Sequence, residues 1–195
     1  MLSPVLVRSA NAAARPPRSR CRGAVHLTLA VAVATAALHA AGLVYTVPQG
    51  WVAQPTASSM RVAQWRLPKV AGDAEDAELI VYFFGQGQGG SVGDNLERWL
   101  GQMEQPDGRP SKAVAKTETM TINGLKVTRL DVSGRYVAET APGAGTHVDR
   151  PNYRLQAAVV ETPGGPYFAK LTGPAQTVAR WDGEFKAWVG SVGYR

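Results

Sequence analysis

Hydrophobic and polar residues alternate along several segments in the second part of the chain, and this pattern predicts strands. Over 59–67 the alternation places Ala63, Trp65 and Leu67 on one face, which is typical of a half-buried strand that Pro68 ends. The unbroken apolar run Leu79–Phe84 predicts a strand that is covered on both faces. A short strand at 43–47 precedes both.

Two segments follow the helical period instead. In 91–104 the apolar residues form one stripe, which predicts a helix; the stripe contains Val92, Leu96, Trp99, Leu100 and Met103. A closing helix is predicted from Pro174 onward, with Pro174 in its first turn. Its stripe contains Val178, Trp181, Phe185, Trp188 and Val192.

The remaining apolar segments predict two hairpins. The pair Asn123-Gly124 separates Ala113–Ile122 from Leu125–Val132, and an Asn-Gly pair between two such runs is a strong hairpin signal. The apolar phase slips between Val127 and Leu130, which predicts a bulge near Thr128-Arg129. The second hairpin joins Tyr153–Glu161 to Tyr167–Thr172 around Pro163-Gly164-Gly165, after a loop at 141–152 that is predicted to be mobile. We therefore predict an α+β domain over 43–195, an antiparallel sheet with helices packed against it.

The first 42 residues have the composition of a leader. A basic region rich in Arg, Ala and Pro precedes the uncharged run Ala24–Ala41, and the small residues Ala40-Ala41-Gly42 follow, as in a secretory signal peptide. An uncleaved membrane anchor is the main alternative, although a span needs about 20 apolar residues and this run has 18. A mitochondrial transit peptide is a minor alternative. We expect the domain to be exported, either periplasmic or extracellular; anchoring to the inner membrane remains open.

Charge and cysteine usage exclude several classes of function. The net charge is +6, but residues 1–50 contain five arginines and no acidic residue, so the rest of the chain holds 16 basic and 15 acidic side chains. This balance argues against a nucleic-acid partner. The single cysteine, Cys21, lies in the leader. The domain therefore has no disulfide, no thiolate zinc site and no cysteine nucleophile.

The segment Gly85–Gly90 matches a dinucleotide-binding glycine pattern between a strand and a helix. A dinucleotide site also needs a parallel strand after the helix, whereas an antiparallel hairpin follows here. In addition, Ser91 and Asp94 form a capping box that would satisfy the free N–H groups of the helix. The motif favours a structural loop, with an anion-binding or partner-facing loop as the alternative.

The sequence predicts no metal and no cofactor. His147 is the one histidine outside the leader, and the acidic turn Asp73, Glu75, Asp76 and Glu78 lacks the spacing of a calcium loop. No nucleophile motif is present. Paired carboxylates near Gly85–Gly90 stay open as the basis of a hydrolase or transferase, but we expect a protein that is not an enzyme.

Five residues are the candidate contacts for a ligand or partner. The tryptophans at helical spacing belong to core stripes, whereas Trp51 and Trp65 are less determined by the pattern and would contact a ligand if either lined a groove. The loop and helix start supply the others. The candidates are Trp51, Trp65, Gly87, Gly89 and Ser91.

Several segments together resemble a known fold family. They are the Pro-x-Gly-Trp turn at 48–51, the strand ending in Leu67-Pro68, the run Leu79–Phe84 before its glycine loop, the helix with Asn95, Arg98 and Trp99, and the segment 165–174. The chain resembles uncharacterised secreted bacterial proteins with a PsbP-like fold, which the extrinsic photosystem protein and a Ran-binding protein share. The resemblance implies an α/β/α sandwich and an accessory or binding role for an unknown protein or small molecule in the cell envelope.

Overall fold

One antiparallel sheet forms the centre of the molecule. The computed structural model of the chain describes residues 42–140 and 143–195. In sheet order the strands are β2 (Val52–Ala53), β3 (Arg61–Leu67), β4 (Ala77–Phe83), β9 (Tyr167–Pro174), β8 (Arg150–Glu161), β7 (Leu125–Tyr136) and β5 (Met103–Glu104), and β6 (Lys116–Ile122) also pairs with β7. A separate pair joins β1 (Leu43–Val44) to β10 (Gly193–Tyr194).

Helices cover both faces of this sheet. The helices are α1 (Val92–Leu100), α2 (Ala175–Arg180) and α3 (Asp182–Gly190). On the α3 face, Phe185 and Trp188 pack on Leu79 and Leu171 in one core. On the α1 face, the second core contains Trp99, Leu100, Leu130, Leu155 and Phe168. The molecule is an α/β/α sandwich, and the predicted fold class is confirmed.

The central strand β4 owes its position to its composition. Its run of large apolar residues buries Leu79 and Val81 on the α3 face, while Ile80 is 8% exposed on the other face. A strand buried on both faces must lie between neighbours, and β4 pairs with β3 on one side and β9 on the other. This prediction is confirmed.

Both predicted helices are shorter than the apolar stripes suggest. The helix predicted over 91–104 ends at Leu100, capped by Gly101, and Met103–Glu104 form β5 against the end of β7. The closing helix divides at Trp181, whose indole N–H donates to the carbonyl oxygen of Pro68 at 2.9 Å. Pro174 ends β9 and caps α2 rather than lying within its first turn.

The predicted bulge at Thr128-Arg129 is wrong. Pairing of β6 with β7 runs through these residues without a shift, and the irregularity of β7 lies between Gly134 and Tyr136 against β8. The phase slip has another cause. Near its start β7 buries Leu125 and Val127 on the α3 face, whereas further along it buries Leu130 and Val132 on the α1 face.

Other boundaries also differ from the prediction. Residues 111–113 form a 3-10 turn, so β6 begins at Lys116, and the first strand is limited to Leu43–Val44. Residues 150–152, predicted to be loop, belong to β8, and Glu139 bridges His147. The leader prediction for 1–42 lies outside the described residues, apart from Gly42. Within the described ranges, no helix has both the length and the apolarity to cross a membrane.

Candidate functional site

The two predicted tryptophan contacts lie in the interior. Trp51 is 8% exposed and Trp65 is 1% exposed, and their ring centroids are 5.8 Å apart. Trp65 also packs against Tyr45 and Trp188, at 5.7 and 6.5 Å between centroids. Both tryptophans are therefore part of the α3-side core and do not line a surface groove.

The glycine loop and the start of α1 lie on the opposite face of the sheet. Gly87 has φ +70° with open space around it, whereas a Cβ on Gly89 would lie 2.7 Å from Cδ2 of Phe84. The predicted capping box is confirmed, because the Asp94 N–H donates to Ser91 Oγ at 3.1 Å and the Ser91 N–H donates to the Asp94 carboxylate at 3.3 Å. Ser91 and Asp94 thus form hydrogen bonds with free backbone N–H groups at the start of α1.

The acidic turn before β4 is occupied by hydrogen bonds to the protein itself. Asp73 accepts from Thr177, Asp76 accepts from Arg66, and Glu75 accepts from Arg150. Across 42–140 and 143–195, no three His, Cys, Asp or Glu residues group together as metal ligands would.

A polar cluster on the α1 face, which the sequence did not predict, is the strongest candidate site. We call it the Lys170 cluster; its members are Arg61, Gln64, Glu78, Tyr82, Arg98, Gln102, Tyr136 and Lys170. Lys170 lies on β9 between Ile80 of β4 and Ala157 of β8. Side chains alternate along a strand, so Lys170 shares the α1 face with Phe168, while Ala169 and Leu171 enter the other core.

The ammonium of Lys170 has neutral hydrogen-bond partners. Its Nζ lies 2.6 Å from Gln102 Oε1 and 2.9 Å from the Tyr136 hydroxyl, and 5.1 Å from the Tyr136 ring centroid. Burial is the main reason that the pKa of Lys170 falls from 10.5 to about 8, with the positive charge of Arg98 as the next cause. Burial also raises the pKa of Tyr136 to about 12, so its hydroxyl stays protonated.

Two arginines bring further positive charge to the same face. Arg61 lies over the ring of Tyr82, with its guanidinium carbon 5.9 Å from the centroid, and Arg98 donates to the side-chain oxygen of Asn95. Among the described residues, no carboxylate lies within 4.0 Å of a charged nitrogen of Lys170, Arg61 or Arg98. Three cations therefore share one region without a direct ion pair.

The carboxylate that belongs to this cluster is Glu78, and a neutral amide holds it. Gln64 Nε2 donates to Glu78 Oε1 at 2.6 Å, and Gln64 Oε1 in turn accepts from Arg61 at 3.2 Å. Glu78 raises the pKa of Lys170, which opposes the effect of the arginines. One carboxylate against three cations leaves the cluster with an excess of positive charge.

The glycine loop connects to this cluster through one buried side chain. Asn95, 1% exposed, donates from Nδ2 to the carbonyl oxygens of Gly89 and Ser91, both at 2.8 Å, and accepts from Arg98. The loop thus fixes the helix turn from which Arg98 extends. Gly89 and Ser91 therefore have a positioning role beside the cluster.

Two surface clefts lie elsewhere and carry charges that are already paired. One, about 550 Å³, contains Glu97 and Lys112, which form an ion pair. The other, about 580 Å³, contains Arg135, which pairs with Asp149. Neither is lined by Lys170 or by a predicted site residue. We favour the Lys170 cluster because its positive charge exceeds its negative charge and none of its three cations forms a direct ion pair among the described residues.

The cluster has one sequence signal that could have revealed it. Lys170 stands in the apolar strand Tyr-Phe-Ala-Lys-Leu, where a lysine must be accommodated inside a sheet. Its partners could not have been found in this way. The predicted helix over 91–104 placed Gln102 on a helix, whereas it lies in the turn to β5, and Tyr136 lies beyond the predicted end of its strand.

Comparison with known proteins gives similarities of structure alone. No family model matches the chain, and no curated protein matches it. The chain is similar to cyanobacterial PsbP (CyanoP) from Synechocystis sp. PCC 6803, at 14% identity and a TM-score of 0.47 over 79% of this chain and 87% of that one. A PsbP structure is thus among those similar to this chain, as the sequence resemblance implies.

Two further solved structures are similar at the same level. One is a protein of unknown function from Pseudomonas aeruginosa, at 15% identity and a TM-score of 0.46, covering 81% of this chain and 94% of that one. The other is LpqN, involved in cell envelope biogenesis of Mycobacterium tuberculosis, at 10% identity and a TM-score of 0.45, covering 77% and 81%. At these identities and scores, the similarities carry no argument about function.

Proposed function

We propose that this chain is an exported, non-enzymatic binding protein whose Lys170 cluster holds a ligand through a carboxylate or phosphate group. The observation that carries the proposal is the group of three cations, Lys170, Arg61 and Arg98, without a carboxylate within 4.0 Å among the described residues. Neighbouring cations repel one another, and an anion placed among them removes this repulsion.

The arrangement of the groups suits an anion. Arginine presents a planar fork that matches the two oxygens of a carboxylate or phosphate, and two arginines stand near one lysine here. Lys170 is partly exposed, so a ligand can approach from the solvent. The half-buried ring of Tyr82 lies beside Arg61 and provides an apolar surface for the rest of the ligand.

The location rests on the leader and not on the described residues. A basic region, an apolar run of 18 residues and small residues at 40–42 support a cleaved signal peptide. The partner is a small molecule or a protein segment in the envelope. We do not propose the alternative of a hydrolase at Gly85–Gly90, because the carboxylate of Asp94 beside that loop is taken up by the capping box.

Native mass spectrometry on the protein purified from its own host tests this proposal. We expect a chain that begins near Leu43 and carries a small anionic molecule, which is released when the protein is unfolded. The double variant Arg61→Gln, Arg98→Gln should lose the bound species. Arg66→Gln is the matched control, because Arg66 pairs with Asp76 on the surface.

Two results would contradict the proposal. A wild-type protein without any bound species, or a double variant that keeps it, would show that the cluster is not the binding site. A mass that retains residues 1–42 would contradict the cleaved leader and favour the membrane anchor.

A further inference from the structure

We propose that Lys170 captures an anionic carbonyl compound, an aldehyde or ketone that also carries a carboxylate or phosphate, by forming an imine with its Nζ. The anionic half of this ligand rests on the proposed function. The covalent half rests on separate observations about the hydrogen bonds of Lys170.

The hydrogen-bond partners of Nζ are both uncharged. Nζ donates to Gln102 Oε1 at 2.6 Å and to the Tyr136 hydroxyl at 2.9 Å, and neither partner favours the ammonium as a carboxylate would. A lysine with a buried charge usually has a carboxylate partner, whereas Lys170 has none within 4.0 Å among the described residues. The exposed Lys112, Lys126 and Lys186 pair with Glu97, Glu161 and Asp182, at distances from 2.5 to 2.9 Å.

The charged groups around Lys170 also favour the neutral amine on balance. Arg98 of α1 and Arg61 of β3 disfavour the ammonium, while Glu78 of β4 favours it, and burial adds the largest effect. With a pKa of about 8, about a quarter of Lys170 is unprotonated at pH 7.5, against roughly one part in a thousand for an ordinary lysine. The unprotonated amine is the nucleophile.

The reaction is a condensation in which no group is oxidised or reduced. The ammonium gives one proton to the solvent, and the Nζ lone pair forms a bond to the carbonyl carbon. The amine nitrogen then loses its two remaining protons, the carbonyl oxygen takes up two protons and leaves as water, and a C=N bond remains. The Tyr136 hydroxyl, 2.9 Å from Nζ, stays protonated because burial raises its pKa, and it lies where it can donate a hydrogen bond to that oxygen.

The arginines give this capture its selectivity. A carboxylate or phosphate next to the carbonyl would be held by Arg98 and Arg61 while the carbonyl carbon meets Nζ. Binding of this kind holds two reacting groups together and raises their effective concentration. An uncharged aldehyde lacks that advantage.

Trapping with glyoxylate, a small aldehyde that carries a carboxylate, tests the inference. The full chain is incubated with glyoxylate and cyanoborohydride at pH 7.5, and the modified lysines are mapped by peptide mass spectrometry over time. We expect Lys170 to be modified at least about tenfold faster than the exposed Lys112. Acetaldehyde serves as the uncharged comparison. Arg98→Gln should slow modification by glyoxylate more than modification by acetaldehyde, because Arg98 lowers the pKa of Lys170 in both reactions but holds only the carboxylate of glyoxylate.

The outcomes separate this inference from the proposed function. Modification of Lys170 no faster than that of Lys112 would overturn the imine, and equal rates with both aldehydes would overturn the anionic requirement. Lys170→Arg keeps the positive charge but cannot form the same imine. If inorganic phosphate binds both wild type and Lys170→Arg while Lys170 stays unreactive, the binding function stands and the imine fails.

Discussion

Replacement of Lys170 by methionine should stabilise the protein near neutral pH. The ammonium costs free energy because burial removes it from water, and its pKa falls from 10.5 to about 8 as a result. A shift of this size corresponds to about 3 kcal/mol between the charged and neutral forms. The Lys170→Met variant removes that cost and loses two hydrogen bonds, to Gln102 and Tyr136, worth about 1 kcal/mol each. We therefore expect a net gain of about 1 kcal/mol at pH 7.

The pH dependence gives the sharper test. At pH values well below 8, Lys170 is charged in both the folded and the unfolded state, so its burial destabilises the fold in full. Between pH 8 and 10.5 the unfolded chain binds more protons than the folded one, and stability rises with pH. From pH 7.5 to 9.5 this contribution should add about 2 kcal/mol to the wild type and nothing to Lys170→Met.

Urea unfolding followed by tryptophan fluorescence measures both quantities. Lys112→Met is the control, because Lys112 is 72% exposed and pairs only on the surface. Its profile should follow the wild type. If the free energies of unfolding of the wild type and Lys170→Met change in parallel from pH 7.5 to 9.5, the lowered pKa of Lys170 is wrong. The argument for an unprotonated, reactive amine then fails as well.

Three further changes test other parts of the structure, each by urea unfolding. Gly89→Ala should lower the free energy of unfolding by about 2 kcal/mol or more, because φ is +89° and the new Cβ would meet Phe84 and Phe168. Gly87→Ala, in open space, should lower it by about 1 kcal/mol, and equal losses in the two variants would contradict the packing. Leu171→Ala should cost about 2–5 kcal/mol, and a loss under 1 kcal/mol would show that it is not core. Burial opposes ionisation of Asp131, but its hydrogen bonds to Arg154 keep its pKa low. The stability that the ionised Asp131 contributes is therefore lost as the pH falls below about 4. Arg154→Met should lower the free energy of unfolding by about 2 kcal/mol at pH 7 and flatten that acid dependence.

Features that depend on neighbouring residues could be predicted from the sequence. The capping box of α1 needs only Ser91 and Asp94, and the first hairpin needs only Asn123-Gly124 between two apolar runs. The central position of β4 follows from its unbroken apolar composition. In each case the physical cause lies within a few positions of the chain.

Features that depend on contacts between residues far apart in the sequence could not be predicted. The short strands β2 and β5 form because β3 and β7 have free edges with which they can pair. A strand of two residues is too short to show a periodic pattern in the sequence. The break at Trp181 depends on Pro68, far away in the sequence. The phase slip in β7 reflects a change of covering layer, which the sequence alone does not distinguish from a bulge.

The Lys170 cluster is the clearest case of this limit. It combines a residue from β9 with a turn residue after α1 and the end of β7, and these meet only once the sheet has formed. The tryptophans that looked like ligand contacts became core, because α3 covers them. The burial of a side chain, and not its residue type, determined which candidates could contact a ligand.

The central claim is that Lys170, Arg61 and Arg98 bind an anion, and NMR titration with inorganic phosphate tests it most directly. The account predicts saturable shifts of the side-chain signals of these three residues, and at least about tenfold weaker binding in Arg61→Gln, Arg98→Gln. Arg66→Gln should leave the titration unchanged, because Arg66 is already paired with Asp76. The account would be contradicted if phosphate left the three wild-type signals unmoved, or if the double variant bound phosphate as tightly as the wild type by the shift of its Lys170 signal.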